Sequence, residues 1–493
     1  MAMSDSSHGT FRRRTLVAGA AWSVPVVAFG TATPAMAASP GECDPEGTLY
    51  DATGTGKLLS GSIAGVDLDN VASVDGATAS VDASTPAEAE ATNPLQATVL
   101  NSIQLGLTGL ADTLSDILDF NTDTGVLNQY GYAHEDGTVR GASGAVADNG
   151  TIRLEPGEGW PELATLQLSE VVEEIGGSAA SDFLSLVADA DLSIGAVAGR
   201  TAFNSLCNPP VDLERDYLVA YLKTILTSPT IGATVETVNA TLDGLTSGLV
   251  DTLNDLPALG LLASVDSLSL SLDTAQTPAG TGRPVQIALE NPATVTVDLG
   301  ALLGGAYSGT TASPWLNSLA PNTRLFVDAP LPADAAAIQA GVLTEALLDA
   351  IRIDIQLDVL LSLVDVTVTG SVGDLVSGEA TVEPELLGLT SAILTSIGTV
   401  IREAILEAGA LTPITSAVTA LLQSLFTILE DVVVLTLNAQ NQEPGAVPDD
   451  LAALPDGQYD VAALHIGALD AAGLDLLDVL LGRGSGGPNT VRA

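Results

Sequence analysis

Between Ile351 and Leu363 every second residue is apolar: Ile351, Ile353, Ile355, Leu357, Val359, Leu361 and Leu363 alternate with Arg352, Asp354, Gln356, Asp358, Leu360 and Ser362. A period of two places seven apolar side chains on one face of an extended chain, which is the pattern of a strand with one buried face. The phase then flips, with Val364, Val366 and Val368 apolar and Asp365, Thr367 and Thr369 polar. The flip predicts a bulge, or a strand that leaves one sheet for another. Shorter alternation occurs in Val265–Leu272, Val285–Leu289 and Val295–Leu299, the last two separated by the turn-forming Glu290-Asn291-Pro292. Further strands are expected around Ile63–Val71, Thr138–Leu154, Ala164–Val171, Phe183–Val197, Glu379–Val382 and Val432–Leu437.

Elsewhere the period lengthens. Val99, Ile103, Leu107, Leu110, Leu114 and Ile117, and again Val235, Val238, Leu242, Leu245, Leu249 and Leu253, recur at helical spacing. Gly106 and Gly109 weaken the first helix, and Asp216–Thr227 is expected as a short helix ahead of the second. Ala408–Leu429 carries no charge and is long enough for a membrane span. Its Thr412, Ser416, Thr419, Gln423 and Thr427 nevertheless form a polar stripe, with Pro413 placed as a first helical residue behind Thr412 as cap. Leu386–Glu407 carries a similar line at Ser391, Thr395, Thr399 and Arg402. Two amphipathic helices joined near Gly409 are therefore expected, packed on sheet, with no transmembrane span in the mature chain.

These patterns specify an α+β, sheet-dominated fold with long antiparallel strands and packed amphipathic helical hairpins. The 493 residues suffice for two to four ordinary domains or one elongated one. With 46% hydrophobic residues the chain has ample material for a core, which excludes an acidic disordered chain. The 61 acids against 15 bases give a net charge of −46. That imbalance argues against sequence-independent nucleic-acid binding, which requires clustered Lys and Arg.

The first residues carry an address. Arg12, Arg13 and Arg14 precede an uncharged stretch from Thr15, and Ala35-Met36-Ala37 supplies a small-x-small cleavage pattern. Arg13-Arg14-Thr15-Leu16-Val17 has the form of a twin-arginine signal. Export by the twin-arginine or general secretory route, cleavage after Ala37 and an extracellular or wall-associated location are expected. Both cysteines, Cys43 and Cys207, follow the cleavage site. In an exported protein an even count favours a disulfide, two buried free thiols being the alternative. Linkers are modest, at Asp82–Pro94 and Asn441–Asp456, the second setting off a final β segment, and four parts are expected. These are a leader over 1–37, a mixed β/α region over 38–210 closed by the disulfide, an α+β region over 211–440, and a C-terminal β segment with its tail over 441–493.

The chain contains no Gly-x-Ser-x-Gly elbow, His-Glu-x-x-His pair, phosphate-binding Gly-Lys-Ser/Thr loop or dinucleotide glycine fingerprint. No catalytic residue or cofactor is assigned. His134 reads as a polar loop residue and His465 as a sheet residue. Asp119, Asn121 and Asp123 resemble the start of a calcium loop, but Gly125 is one place late and the twelfth position is Tyr130 instead of Glu. They are the weak metal candidates, calcium being the ion such a loop would take, and a solvated turn is the competing reading. Paired carboxylates could serve glycoside hydrolysis, yet nothing in the spacing selects a pair.

Gly56-Lys-Leu-Leu-Ser-Gly-Ser-Ile-Ala-Gly-Val-Asp-Leu-Asp-Asn-Val-Ala72 and Leu480-Leu-Gly-Arg-Gly-Ser-Gly-Gly-Pro-Asn489 resemble the opening and closing segments of the choice-of-anchor G family of actinobacterial surface proteins. The resemblance implies an exported protein with a carboxy-terminal attachment device and no implied enzymatic activity. After Asn489 only Thr490-Val-Arg-Ala493 follow, without a Leu-Pro-x-Thr-Gly motif, apolar span or basic tail. The expected role is structural or adhesive, with envelope polymers or surface proteins as partners. A secreted carbohydrate-active enzyme using two carboxylates is the alternative.

Overall fold

The computed structural model describes residues 42–71, 75–103, 114–122, 126–153, 160–257, 259, 263–274, 284–305, 312–331, 334–359, 364–384, 391–469 and 475–492. The leader lies outside them, as do Asp123 and the middle of the first expected helix.

Two antiparallel sheets face each other at the centre. One contains, in order, Thr323–Arg324, Val433–Gln440, Tyr459–Leu469, Asp475–Gly486 and Tyr50–Ile63, with Thr490–Val491, Val66–Asp67 and Ala77–Val81 also pairing to the last long strand. The other orders Glu214–Val219, Val197–Asn204, Thr138–Gly144, Val126–His134 and Glu88–Thr92. Sandwiched sheets normally stand about 10 Å apart because side chains fill the gap. Here glycines replace those side chains. A Cβ on Gly54, Gly56, Gly141 or Gly199 would overlap backbone oxygens of the facing sheet. The backbones are close enough for hydroxyls to bridge them: Ser143 Oγ lies 2.9 Å from the carbonyl oxygens of both Lys57 and Arg483, and Thr201 Oγ1 donates to Gly484 O at 2.8 Å.

A third antiparallel sheet continues the second around a corner. Asp189–Gly195 belongs to it, and after Ala196 the same chain re-enters the sandwich as Val197–Asn204. Glu214–Val219 and Leu222–Ser228 make the same crossing in reverse. The predicted short helix at Asp216–Thr227 is therefore two strands. Leu222, Thr224, Leu226 and Ser228 are buried on alternate positions, a two-residue period that the run of Leu, Val, Ile and Tyr conceals. The Val285–Ala288 and Ala293–Asp298 hairpin completes this sheet as predicted.

The fourth sheet orders Ala263–Leu272, Ile351–Val359, Val364–Ser371 and Thr381–Glu383. The phase flip after Leu363 is neither a bulge nor a change of sheet. Val359 pairs with Val364 and Arg352 with Ser371, so the segment is a hairpin. Leu360-Leu-Ser-Leu363, which includes Leu361 and Leu363 of the expected strand face, lies outside the described residues, and its sequence carries no glycine, proline or asparagine to announce a turn.

Helices fill the remaining core. Pro229–Asn254 starts where Ser228 Oγ accepts from Ile231 N, and it buries Val235, Val238, Leu242, Leu249 and Leu253, packing on Ala263–Leu272. Ser391–Glu407 and Thr412–Asp431 follow one another across Gly409, whose φ of 63° suits glycine. Thr412 opens the second helix and does not cap it. That helix is long and apolar enough to cross a membrane by composition. In the fold its Ile414, Val418, Leu421, Leu422, Leu425, Ile428 and Leu429 are buried, and it packs on Gly177–Leu184, Pro229–Asn254 and Ala335–Ala350. The predicted polar stripe faces outward at Thr412, Ser416, Gln423 and Thr427.

Cys43 and Cys207 form a disulfide across the paired strands Glu42–Cys43 and Cys207–Asn208. Residues Gly41–Ala493 form one compact unit.

Candidate functional site

The outer face of the four-stranded sheet is a polar surface that lines a trough. Its inner face buries Leu268, Leu270, Leu272, Ile351, Ile353, Ile355, Leu357, Val366 and Val368. Alternation then forces the intervening polar residues outward. Antiparallel register lines them up across the strands: Ser269 stands opposite Asp354, Asp354 opposite Thr369, and Thr369 opposite Thr381. Beside this row lie Ser271 and Arg352. Together they line a trough of 570 Å³ that Asp374 and Glu379 close at one end. Arg352 Nε donates to Asp273 at 3.0 Å, Gln356 Nε2 to Asp354 Oδ1 at 2.9 Å and Thr367 Oγ1 to Gln356 Oε1 at 2.9 Å. Asp374 is held by a capping box with Ser371 at the start of Val372–Ser377. The alternation at Arg352 and Asp354 is legible in the sequence. Their alignment with Ser269, Thr369 and Thr381 depends on long-range pairing, and no local pattern marks it.

A pair of carboxylates sits on the corner sheet. Glu162 accepts from Thr165 Oγ1 at 2.9 Å and from Ser193 Oγ at 2.6 Å. Asp191 is pushed up to about 6 by burial first, then by the charges of Asp189 and Glu162. Its Oδ1 is buried without a hydrogen-bond partner. Trp160, two residues before Glu162, packs beside Tyr130, Ala142, Val146, Ala198 and Leu218, and Trp315 packs against the main core.

The remaining candidates are dispersed. Asp119 is the middle residue of the short strand Leu118–Phe120, its Oδ1 accepting from Asn101 at 2.7 Å, and Asn121 follows the strand. Among the described residues no group of three His, Cys, Asp or Glu side chains gathers as a metal site. His134 is not a loop residue but the last residue of the strand Val126–His134, opposite Glu88, and its Nδ1 accepts from Asp136 N at 3.1 Å in the turn that follows. His465 is a sheet residue whose Nε2 lies 2.6 Å from Asp478 Oδ1. Asp460 is fully buried and accepts from Arg483 Nε at 2.6 Å, Ser485 Oγ at 2.7 Å and Gln458 Nε2 at 3.0 Å. These four side chains link Gln458 to the strands Tyr459–Leu469 and Asp475–Gly486, and Asn441 and Gln442 donate to Gln458 O at 2.7 and 2.9 Å.

Fold and surface together define a class: a disulfide-stapled α+β protein on a glycine-packed β-sandwich, with an acid-rich polar sheet face open to solvent. The chain belongs to the DUF8394 family, a domain of unknown function, whose model matches residues 54–487. No curated protein and no solved structure matches it.

Proposed function

We propose that this protein is an exported structural or adhesive component of a bacterial cell envelope or secreted matrix. The disulfide between Cys43 and Cys207 carries this reading, because such bonds persist in oxidising, extracytoplasmic compartments. The basic, uncharged and small-residue order of the leader and the resemblance to choice-of-anchor G proteins support it. Its mechanism is display of solvated polar faces that meet envelope polymers through many weak contacts. The test is fractionation of the native host into medium, wall, membrane and cytoplasm. Protein shortened at Ala37 is expected in medium or wall, and its recovery from cytoplasm would overturn the proposal.

One observation favours a second reading, hydrolysis of a glycan. Asp191, its carboxyl pushed up to about 6 by burial, beside a Glu162 that accepts from Thr165 and Ser193, supplies the pair of carboxyl groups such chemistry uses. New reducing ends released from a polysaccharide, and lost by at least ~100-fold in Asp191→Asn, would establish it in place of the structural role.

A further inference from the structure

We infer that the trough on the four-stranded sheet binds a neutral, hydroxyl-rich glycan strand, laid across the strands along Ser269, Asp354, Thr369 and Thr381. This rests on the envelope-surface reading and names the polymer class that the surface meets.

The chemistry of the lining argues against anionic and apolar ligands, and polylysine in the experiment below tests the cationic alternative. Asp354, Asp374 and Glu379 outnumber Arg352, so phosphate-bearing polymers and nucleic acids are repelled. The apolar residue in the lining, Ile353, is 2% exposed, which leaves no floor for a lipid or an apolar peptide. No group of three metal-ligating side chains gathers among the described residues. What remains is a surface of hydroxyls, three carboxylates and a guanidinium, groups that exchange hydrogen bonds with sugar diols in both directions.

The hydroxyls are also available. Those of Ser269, Ser271, Thr369 and Thr381 make no hydrogen bond to other described residues. Arg352, which lines the trough, donates to Asp273 through Nε. Because the hydroxyls and the Asp354 carboxylate sit on neighbouring strands, these polar groups repeat every 4.7–4.9 Å across about 14 Å. That spacing is close to the rise of one sugar unit in an extended glycan, so successive residues of the polymer meet successive strands. The lining holds no aromatic platform. Each trough therefore grips weakly, and strong retention requires several copies on one polymer.

The experiment uses the full mature protein in affinity electrophoresis through gels containing dextran, mannan or arabinogalactan, with polyphosphate and polylysine gels beside them. Retardation by at least one neutral glycan is expected, weakened tenfold or more by both Asp354→Ala and Thr369→Arg. Gln286→Ala, on the corner sheet, should bind as the native protein does. Circular dichroism melts establish that each variant is folded. A variant that does not fold is replaced by Thr381→Arg, from the edge strand. Failure of all three glycans to retard the protein, undiminished retardation of the folded variants, or retardation by polylysine alone would overturn the inference. Fractionation reads location independently, so a protein found in the wall that binds no glycan would sink this inference and leave the envelope reading standing.

Discussion

Gly141 has no room for a methyl group. A Cβ there would overlap the carbonyl oxygens of Thr55 and Ser485, both on the facing sheet and both backbone, so nothing flexible can yield. Gly244 is the opposite case, an interior glycine of the helix Pro229–Asn254 with nothing within 4 Å of the added carbon. Gly141→Ala should therefore cost roughly 3 kcal/mol or more through overpacking, whereas Gly244→Ala should stabilise by about 1 kcal/mol through helix propensity. Urea denaturation of the two variants checks both signs, and equal effects would mean the sheets are not in backbone contact. Asp191 offers a second test at this scale. Its folded value of about 6 lies above the usual 3.8, so the folded chain holds this proton more tightly than the unfolded one. Its contribution to stability is present below about pH 4 and is lost as pH rises through 6. Asp191→Asn should flatten thermal stability against pH across that window, and an unchanged profile would show that the site is not desolvated.

Secondary structure was legible where the side chains of one element decide it. The helix Pro229–Asn254 announces itself by its 3.6-residue apolar period and by Ser228-Pro229 at its start, and the hairpin around Glu290-Asn291-Pro292 by its turn residues. Illegible elements had a local signal that serves two structures. Val359 pairs with Val364, yet the apolar residues between them in the sequence give no turn signal, and Asp216–Thr227 reads as helix or strand alike. The sandwich itself was hidden, because glycine within a strand weakens the local pattern and gains its purpose only from the sheet opposite. The trough was half visible for the same reason: one strand shows its polar face, but its partners are set by register. The disulfide is an element-scale staple, since strands of two residues each cannot hold Glu42–Cys43 to Cys207–Asn208 unaided. It closes a loop spanning 164 residues, for which chain entropy alone gives roughly 5 kcal/mol as an upper figure. Cys43→Ser with Cys207→Ser should lower the unfolding free energy by about 2–5 kcal/mol, read from denaturation midpoints. A change below 1 kcal/mol would show that the terminal segment is held by Tyr50 and its bond to Asp44 instead.

Across the whole molecule the net charge of −46 is a stability term as well as a surface property. Attractive pairs such as Arg200 with Asp216 at 2.7 Å and Arg402 with Glu345 at 2.6 Å lie at the surface, where each contributes at most about 1 kcal/mol. Repulsion is distributed over many more groups. Asp450 is pushed up by burial and then by Asp478 and Asp69, with Arg483 opposing. Salt weakens attraction and repulsion together, so the sign of its effect reports which dominates. Raising ionic strength from 0.01 M toward 1 M shortens the screening length from about 30 Å to about 3 Å. With acids outnumbering bases fourfold, the surviving long-range field is repulsive, and the melting temperature should climb by several degrees. Most of that gain should fall below about 0.15 M, because beyond it only close pairs still feel one another. A melting temperature that falls over the same range would show that paired charges, and not the excess of acid, set the balance. The same field keeps copies of the protein apart in solution, so a shared uncharged polymer could collect several of them without their aggregating directly.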